Sequence, residues 1–168
     1  MDTSDQINTP QSRTQAVDHI NALDVSDSWK KTFKLIEKAE PTGFLKFKKA
    51  DQLSFSERSK MLRNFKAFFF GGFYYLAKKM YKKGLIILGA ACLYTTILIA
   101  VERSFSITLP AVVYYIPVSA ISSMLANYDY YQKTVKNKHM WENMEIFNNR
   151  YVCAAFAISA LALSIYSF

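Results

Sequence analysis

Cysteine and histidine are scarce in this chain, two of each in 168 residues. Cys92 and Cys153 lie far apart inside apolar blocks. With His19 and His139 they do not form the roughly four-ligand pattern of a structural zinc site. They read as small buried hydrophobes, and no disulfide framework, metal or cofactor is expected. Also missing are a Walker loop, a dinucleotide fingerprint, a His-Glu-x-x-His pair and a serine nucleophile elbow. No catalytic residue is nominated and no enzyme is expected. His139 and Glu142 have a spacing that fits one helical turn, but a solvated pair explains them better than acid–base machinery. Residues 1–25 lack the apolar core of a signal peptide, so insertion would rely on internal segments.

The most informative absence is of charge from three long runs. Gly84–Val101, Ile107–Ala126 and Tyr151–Phe168 contain no Asp, Glu, Lys or Arg. As a helix the first is about 27 Å long, close to the bilayer's hydrocarbon thickness. Pro110 and Pro117 would tilt or kink the second, with neighbouring helices and hydroxyls such as Ser119 covering the freed carbonyls. The third is of marginal length, and a hairpin folded back on the inner leaflet is its alternative. The short linker 102–106 makes the first two runs antiparallel. Charges inside a membrane usually mark ion pathways, so their absence argues against a coupled transporter. A homo-oligomeric pore lined by hydroxyls stays open.

Before these runs lie residues 1–25, polar and without clear periodicity, expected to be a mobile tail. Region 26–83 is basic and helical. Trp29, Phe33 and Ile36 share one helical face, Asp27 or Ser28 could cap that helix, and Pro41 with Gly43 ends it. Ser54-Phe55-Ser56-Glu57 is a capping-box pattern that starts a second helix. The stretch Ala67–Ala77 has no charge but is only about 16 Å long as a helix, too short to span. Arg58, Lys60, Arg63 and Lys66 precede it, and Lys78, Lys79, Lys82 and Lys83 follow it. Such framing indicates an interfacial helix, with Phe68, Phe69, Phe73, Tyr74 and Tyr75 at the headgroup boundary and Lys78, Lys79, Lys82 and Lys83 facing anionic lipid. A buried aromatic hairpin in a soluble core is the competing reading.

Between Ser28 and Lys83 there are fifteen Lys or Arg against four acidic residues. Segment 127–150 adds Lys133, Lys136, Lys138 and Arg150, whereas 102–106 offers only Arg103 beside Glu102. The positive-inside rule puts the N-terminal part and 127–150 in the cytoplasm, and Phe168 outside if all three runs cross. Asp129, between Tyr128 and Tyr130, reads as part of an interfacial anchor. Ser119/Ser123 and Ala155/Ser159 are small-x-x-x-small pairs suited to close helix packing, within one subunit or between copies.

The block Arg63–Gly84, with Phe68-Phe69-Phe70-Gly71-Gly72-Phe73-Tyr74-Tyr75 at its centre, resembles a bacterial family of small inner-membrane proteins catalogued as domain of unknown function 2628. The Trp-Lys-rich helix Ser28–Ala39 and Ala126-Asn127-Tyr128-Asp129-Tyr130-Tyr131-Gln132-Lys133 carry the same resemblance, which covers roughly residues 28–140. Where the family usually has Gly-Pro, this chain has Gly71-Gly72, so a turn there would be looser. The resemblance implies a bacterial inner-membrane location and supplies no reaction.

The expected fold is therefore an all-α membrane protein: amphipathic N-terminal helices, an interfacial aromatic helix, then two to three transmembrane helices over 84–168. Its expected role is a non-enzymatic, membrane-anchored interaction protein with a cytoplasmic N-terminus. Anionic lipid headgroups and an unidentified protein are the partners. Nucleic acid is disfavoured because the adjoining spans make lipid the nearer polyanion. The alternatives are a homo-oligomeric channel or permeability factor, and an immunity or exclusion protein that binds a membrane-acting toxin.

Overall fold

A computed structural model of the chain describes residues 10–167, apart from 44, 142 and 143. The described chain is mostly helical and forms two compact units, Met1–Met61 and Leu62–Phe168. The division falls well before residue 83, so the aromatic segment groups with the apolar runs.

In the first unit, α1 (Pro10–Ala22) occupies much of the stretch expected to be a mobile tail. Proline suits a first helical position because its missing N–H has no partner there anyway. Ile20 is buried, and Lys30 donates to the Asn21 carbonyl at 2.8 Å. Helix α2 (Asp27–Lys38) buries Phe33 and Ile36 as the spacing predicts, with the Trp29 ring 5.6 Å from that of Phe33. Its N-cap is Ser26, which makes no side-chain capping bond, rather than Asp27 or Ser28. Glu40 in a left-handed conformation turns the chain into β1 (Pro41–Gly43), antiparallel to β2 (Lys46–Phe47). Helix α3 (Phe55–Leu62) starts on the expected capping box: Ser54 N donates to Glu57 Oε2 at 2.8 Å and Glu57 N to Ser54 Oγ at 3.3 Å.

The second unit contains α4 (Phe65–Ala77), α5 (Tyr81–Phe105), α6 (Ala111–Thr134) and α7 (Arg150–Ser167). Helix α4 packs against both α5 and α6, and α7 packs along α5. Two of these helices, α5 and α7, are long and apolar enough to cross a membrane by length and composition. The expected second run fares less well than the marginal third. Residues 107–110 lie outside α6, and the helix continues instead into Asn127, Asp129 and Gln132. Most of the linker 102–106 belongs to α5, which ends at left-handed Ser106.

Pro117 lies inside α6 and has no N–H for the Val113 carbonyl. Tyr94 of α5 donates its hydroxyl to that oxygen at 2.9 Å, so a neighbouring helix repairs the gap as expected, though not through Ser119. Glycines set the helix spacing. A Cβ on Gly72 would meet Leu88 Cγ at 2.5 Å and the Gly84 carbonyl at 2.8 Å, and one on Gly89 would meet Phe156 Cε1 at 2.6 Å. Helices α5 and α7 run parallel, since Cys153 lies within electrostatic reach of Lys82 while Phe156 meets Gly89.

Candidate functional site

The uninterrupted interfacial helix expected over Phe68–Leu76 does not form. Gly71 takes φ 49° and ψ −129°, a conformation closed to residues with a Cβ, and α4 breaks there. The two legs fold back on each other, because the Asn64 side-chain amide donates to the Tyr74 hydroxyl at 3.0 Å. Each leg has about six residues and rises about 9 Å. The carbonyls of Phe68 and Phe69, released by the break, accept from the Tyr115 hydroxyl of α6 at 3.2 and 3.3 Å. Asn64 fastens the base of the hairpin. Its N–H donates to Ser123 Oγ at 3.0 Å, its amide to Asn127 Oδ1 at 2.8 Å, and Asn127 donates back to the Arg63 carbonyl at 3.1 Å.

This hairpin redistributes the nominated interface residues. Phe69 and Phe73 are 64% and 66% exposed, and Phe68 is half-buried against Tyr115. Tyr74 and Tyr75 are buried, and the Tyr75 hydroxyl donates to the Ser122 carbonyl at 3.2 Å. A single surface helix would have exposed one continuous face. The break at Gly71 lets the second leg turn Tyr74 and Tyr75 into the protein instead. Ser119 and Ser123 are buried at helix contacts, whereas Ala155 and Ser159 are exposed. Helix α7 packs through Cys153, Phe156 and Ala160 instead, one residue round from the small pair.

Lys83 departs furthest from expectation. It is 2% exposed and donates to Asp129 Oδ1 at 2.6 Å, and Asp129 is fully buried. Trp141 Nε1 donates to the same oxygen at 2.8 Å, and the Lys83 ammonium lies 5.3 Å from the Trp141 ring centre. Asp129 Oδ2 is buried with no hydrogen-bond partner among the described residues. Asp129 is thus the centre of a buried ion pair rather than an interfacial anchor. Both charges lie just outside the apolar runs, at the start of α5 and near the end of α6. Antiparallel helices bring such ends together, and that was the available signal.

Further lysines lie near this pair. Lys133 donates to the Lys78 carbonyl at 2.6 Å, and Lys78 lies 4.6 Å from the Tyr130 ring centre. Desolvation, then Lys66, holds the Lys78 ammonium below its ordinary pKa. Beyond the apolar part of α6, desolvation and then Lys79 and Lys78 do the same to Lys133. A cleft of about 170 Å³ opens between these segments, lined by Lys79, Lys82, Lys83, Lys133, Lys138 and His139. His139 therefore lies beside lysines, and Glu142 lies outside the described residues. A second cavity of about 250 Å³ sits at the hairpin tip between α5 and α6, lined by Phe69, Phe73, Thr95, Tyr114 and Ser119 among others.

Residues 22–136 match the family described as "Protein of unknown function (DUF2628)". The chain belongs to that family. The match takes in the hairpin, α5, α6 and the Lys83–Asp129 pair of this DUF2628 member, and stops before Trp141 and α7. No curated protein and no solved structure matches the chain.

Proposed function

We propose that this DUF2628 member is a multi-pass protein of the bacterial inner membrane, acting without catalysis. Its basic end faces the cytoplasm and engages anionic lipid together with a protein partner. One observation carries this reading: the most apolar stretches of α5 and α7 are only 28% and 17% buried within the fold. A water-soluble protein would cover such helices, because apolar area left in water costs about 25 cal/mol per Å². Helix α6 runs back beside α5, so a bilayer crossed by α5 is crossed again by α6. The hairpin α4 then enters and leaves on one side, its legs covering roughly a third of a 30 Å hydrocarbon core. Its backbone is tolerable there because α6 hydroxyls and amides cover it.

Carbonate washing should leave the full chain in the membrane pellet. Reporter fusions at residues 60 and 138 should read cytoplasmic, and one after Phe168 should read external. Release by carbonate would remove the membrane reading. A cytoplasmic C-terminus would remove only the crossing by α7.

A second reading is a homo-oligomeric channel. The broken hairpin wedged between α5 and α6, with a cavity at its tip, favours it, since interrupted helices line many permeation paths. Efflux of ions from vesicles holding the purified protein, above that from empty vesicles, would select this reading.

A further inference from the structure

We propose that the lysine cleft at the start of α5 binds a phosphoryl group, either an anionic phospholipid headgroup or a free phosphate of the same chemistry. The lipid source rests on the membrane reading above; the phosphoryl site does not. Three features of the cleft carry the proposal.

The first is convergence. Lys79 and Lys82 come from the turn into α5, Lys133 from the end of α6, and Lys138 and His139 from the segment after it, yet all line one cleft. No carboxylate lines it among the described residues. Asp129 stands behind Lys83 and holds that ammonium, with Trp141 Nε1 donating to the same oxygen. Desolvation first, and then the Lys79 and Lys78 ammonium groups, hold the Lys133 ammonium below its ordinary pKa beside this cleft. An anion in the cleft would oppose that shift.

The second is backbone. Met80, the residue before α5, makes no side-chain capping bond. The first N–H groups of this 25-residue helix therefore have no side-chain cap where Tyr81, Lys82 and Lys83 border the cleft. A long helix carries roughly half a positive charge at that end, which favours an anion and adds donors to the ammonium groups.

The third is conformation. Lys79 holds φ 57°, unusual for a residue with a Cβ. This kink turns the chain from α4 into α5 and sets Lys79 and Lys82 beside Lys133. Strain of this kind persists where surrounding structure holds it, and often at ligand sites.

The test uses the full chain in nonionic detergent. Native mass spectrometry would follow retention of phosphatidylglycerol and of phosphatidylcholine, and a thermal melt would follow protection by inorganic phosphate. The variant is Lys82→Glu/Lys138→Glu, with Lys46→Glu/Lys48→Glu as an equal charge change elsewhere. Lys79→Gln is a milder second variant should the double variant melt early. Wild type and the Lys46/Lys48 control should retain phosphatidylglycerol over phosphatidylcholine, and the cleft variant should lose about tenfold or more of that preference. Protection by inorganic phosphate, lost in the cleft variant without lipid preference, would assign the site to a free phosphoryl ligand. Equal lipid retention by all proteins without phosphate protection overturns the proposal, and so does binding of an acidic peptide with neither phosphoryl ligand. If carbonate releases the protein but cleft-dependent phosphate protection persists, the membrane reading has failed and the phosphoryl site stands.

Discussion

The two units distribute polar and apolar groups in opposite ways. The first hides Ile20, Phe33, Ile36, Leu53 and Met61 and leaves two ion pairs accessible, Lys38–Glu57 at 3.2 Å and Arg58–Asp51 at 3.8 Å, while Glu40 of the Lys49–Glu40 pair is buried. The second exposes Phe69, Ile97, Ile116, Ile158 and Ile165 while burying Lys83, Asp129, Asn127 and Ser122. Exposed Phe and Ile over a buried Lys83, Asp129 and Asn127 are poor design in water. The arrangement is reasonable where the surroundings offer hydrocarbon and no hydrogen bonds. The contrast also ranks the interactions. Exposed pairs of the first kind contribute at most about 1 kcal/mol each. Removing one partner of a buried pair strands the other charge and costs about 3–5 kcal/mol.

The largest expected effect follows. Asp129→Leu and Lys83→Met should each lower the stability of the full chain in detergent by about 3–5 kcal/mol. The double variant Lys83→Met/Asp129→Leu should recover most of that loss, because two apolar side chains strand no charge. Thermal melts of the four proteins form a double-mutant cycle. Additive losses would show that the pair is not coupled, and would break the contrast between the units at its strongest point.

Next come the glycine contacts. A Cβ on Gly72 meets the Gly84 carbonyl, which is backbone and cannot swing aside. Gly72→Ala should therefore cost about 1–3 kcal/mol by overpacking. Gly71→Ala should cost a similar amount through its φ of 49° rather than through space, since the nearest side-chain atom is 3.9 Å away. Gly43→Ala in the first unit has open surroundings and should change the melt little. Equal effects at all three positions would show that neither space nor backbone sets the hairpin.

The two tyrosines that cover interrupted helices are the third test. Tyr94→Phe removes the donor to the carbonyl freed by Pro117, and Tyr115→Phe the donor to those freed at Gly71. Each should cost about 1–3 kcal/mol, the cost of a buried acceptor left unpaired. A variant that melts like wild type would show that its carbonyl finds another donor.

What the sequence disclosed depends on distance along the chain. The Ser54–Glu57 box spans three residues and could be read directly. So could the Phe33/Ile36 face and the apolar character of α5 and α7. Lys83 and Asp129 are 46 residues apart, and each looked like an ordinary boundary residue by itself. Only the antiparallel pairing of α5 with α6, followed to its consequence at their ends, brings them together. The hairpin was within reach, since Gly71-Gly72 is the one place in the aromatic stretch where the backbone can reverse. The interfacial reading prevailed because flanking lysines and short length fit a surface helix equally well. Helix α1 was hard to read because its composition is polar and, of residues 15–22, only Ile20 is fully buried.

The smallest effect belongs to the exposed capping box, where pH provides the handle. The Glu57 carboxyl is held below its ordinary value of 4.5, first by the Ser54 N–H and then by Lys38. A carboxyl whose folded pKa is depressed stabilises the fold above its unfolded pKa, and that contribution fades as pH falls through the folded value. The first turn of α3 should therefore loosen in acid below about pH 4.5. Ser54→Ala should cost about 1 kcal/mol at neutral pH through loss of the other half of the box. Hydrogen exchange at the Arg58 and Ser59 amides, corrected for intrinsic rates, would follow this directly. Wild type should lose protection between pH 6 and pH 3 (an interval of about 3 units spanning the carboxyl range). Glu57→Gln should begin with less protection and show a flatter profile, since its side chain does not titrate. Parallel profiles for the two proteins would place the acid sensitivity elsewhere in the first unit, and leave this box a feature of geometry without the electrostatic share assigned to it.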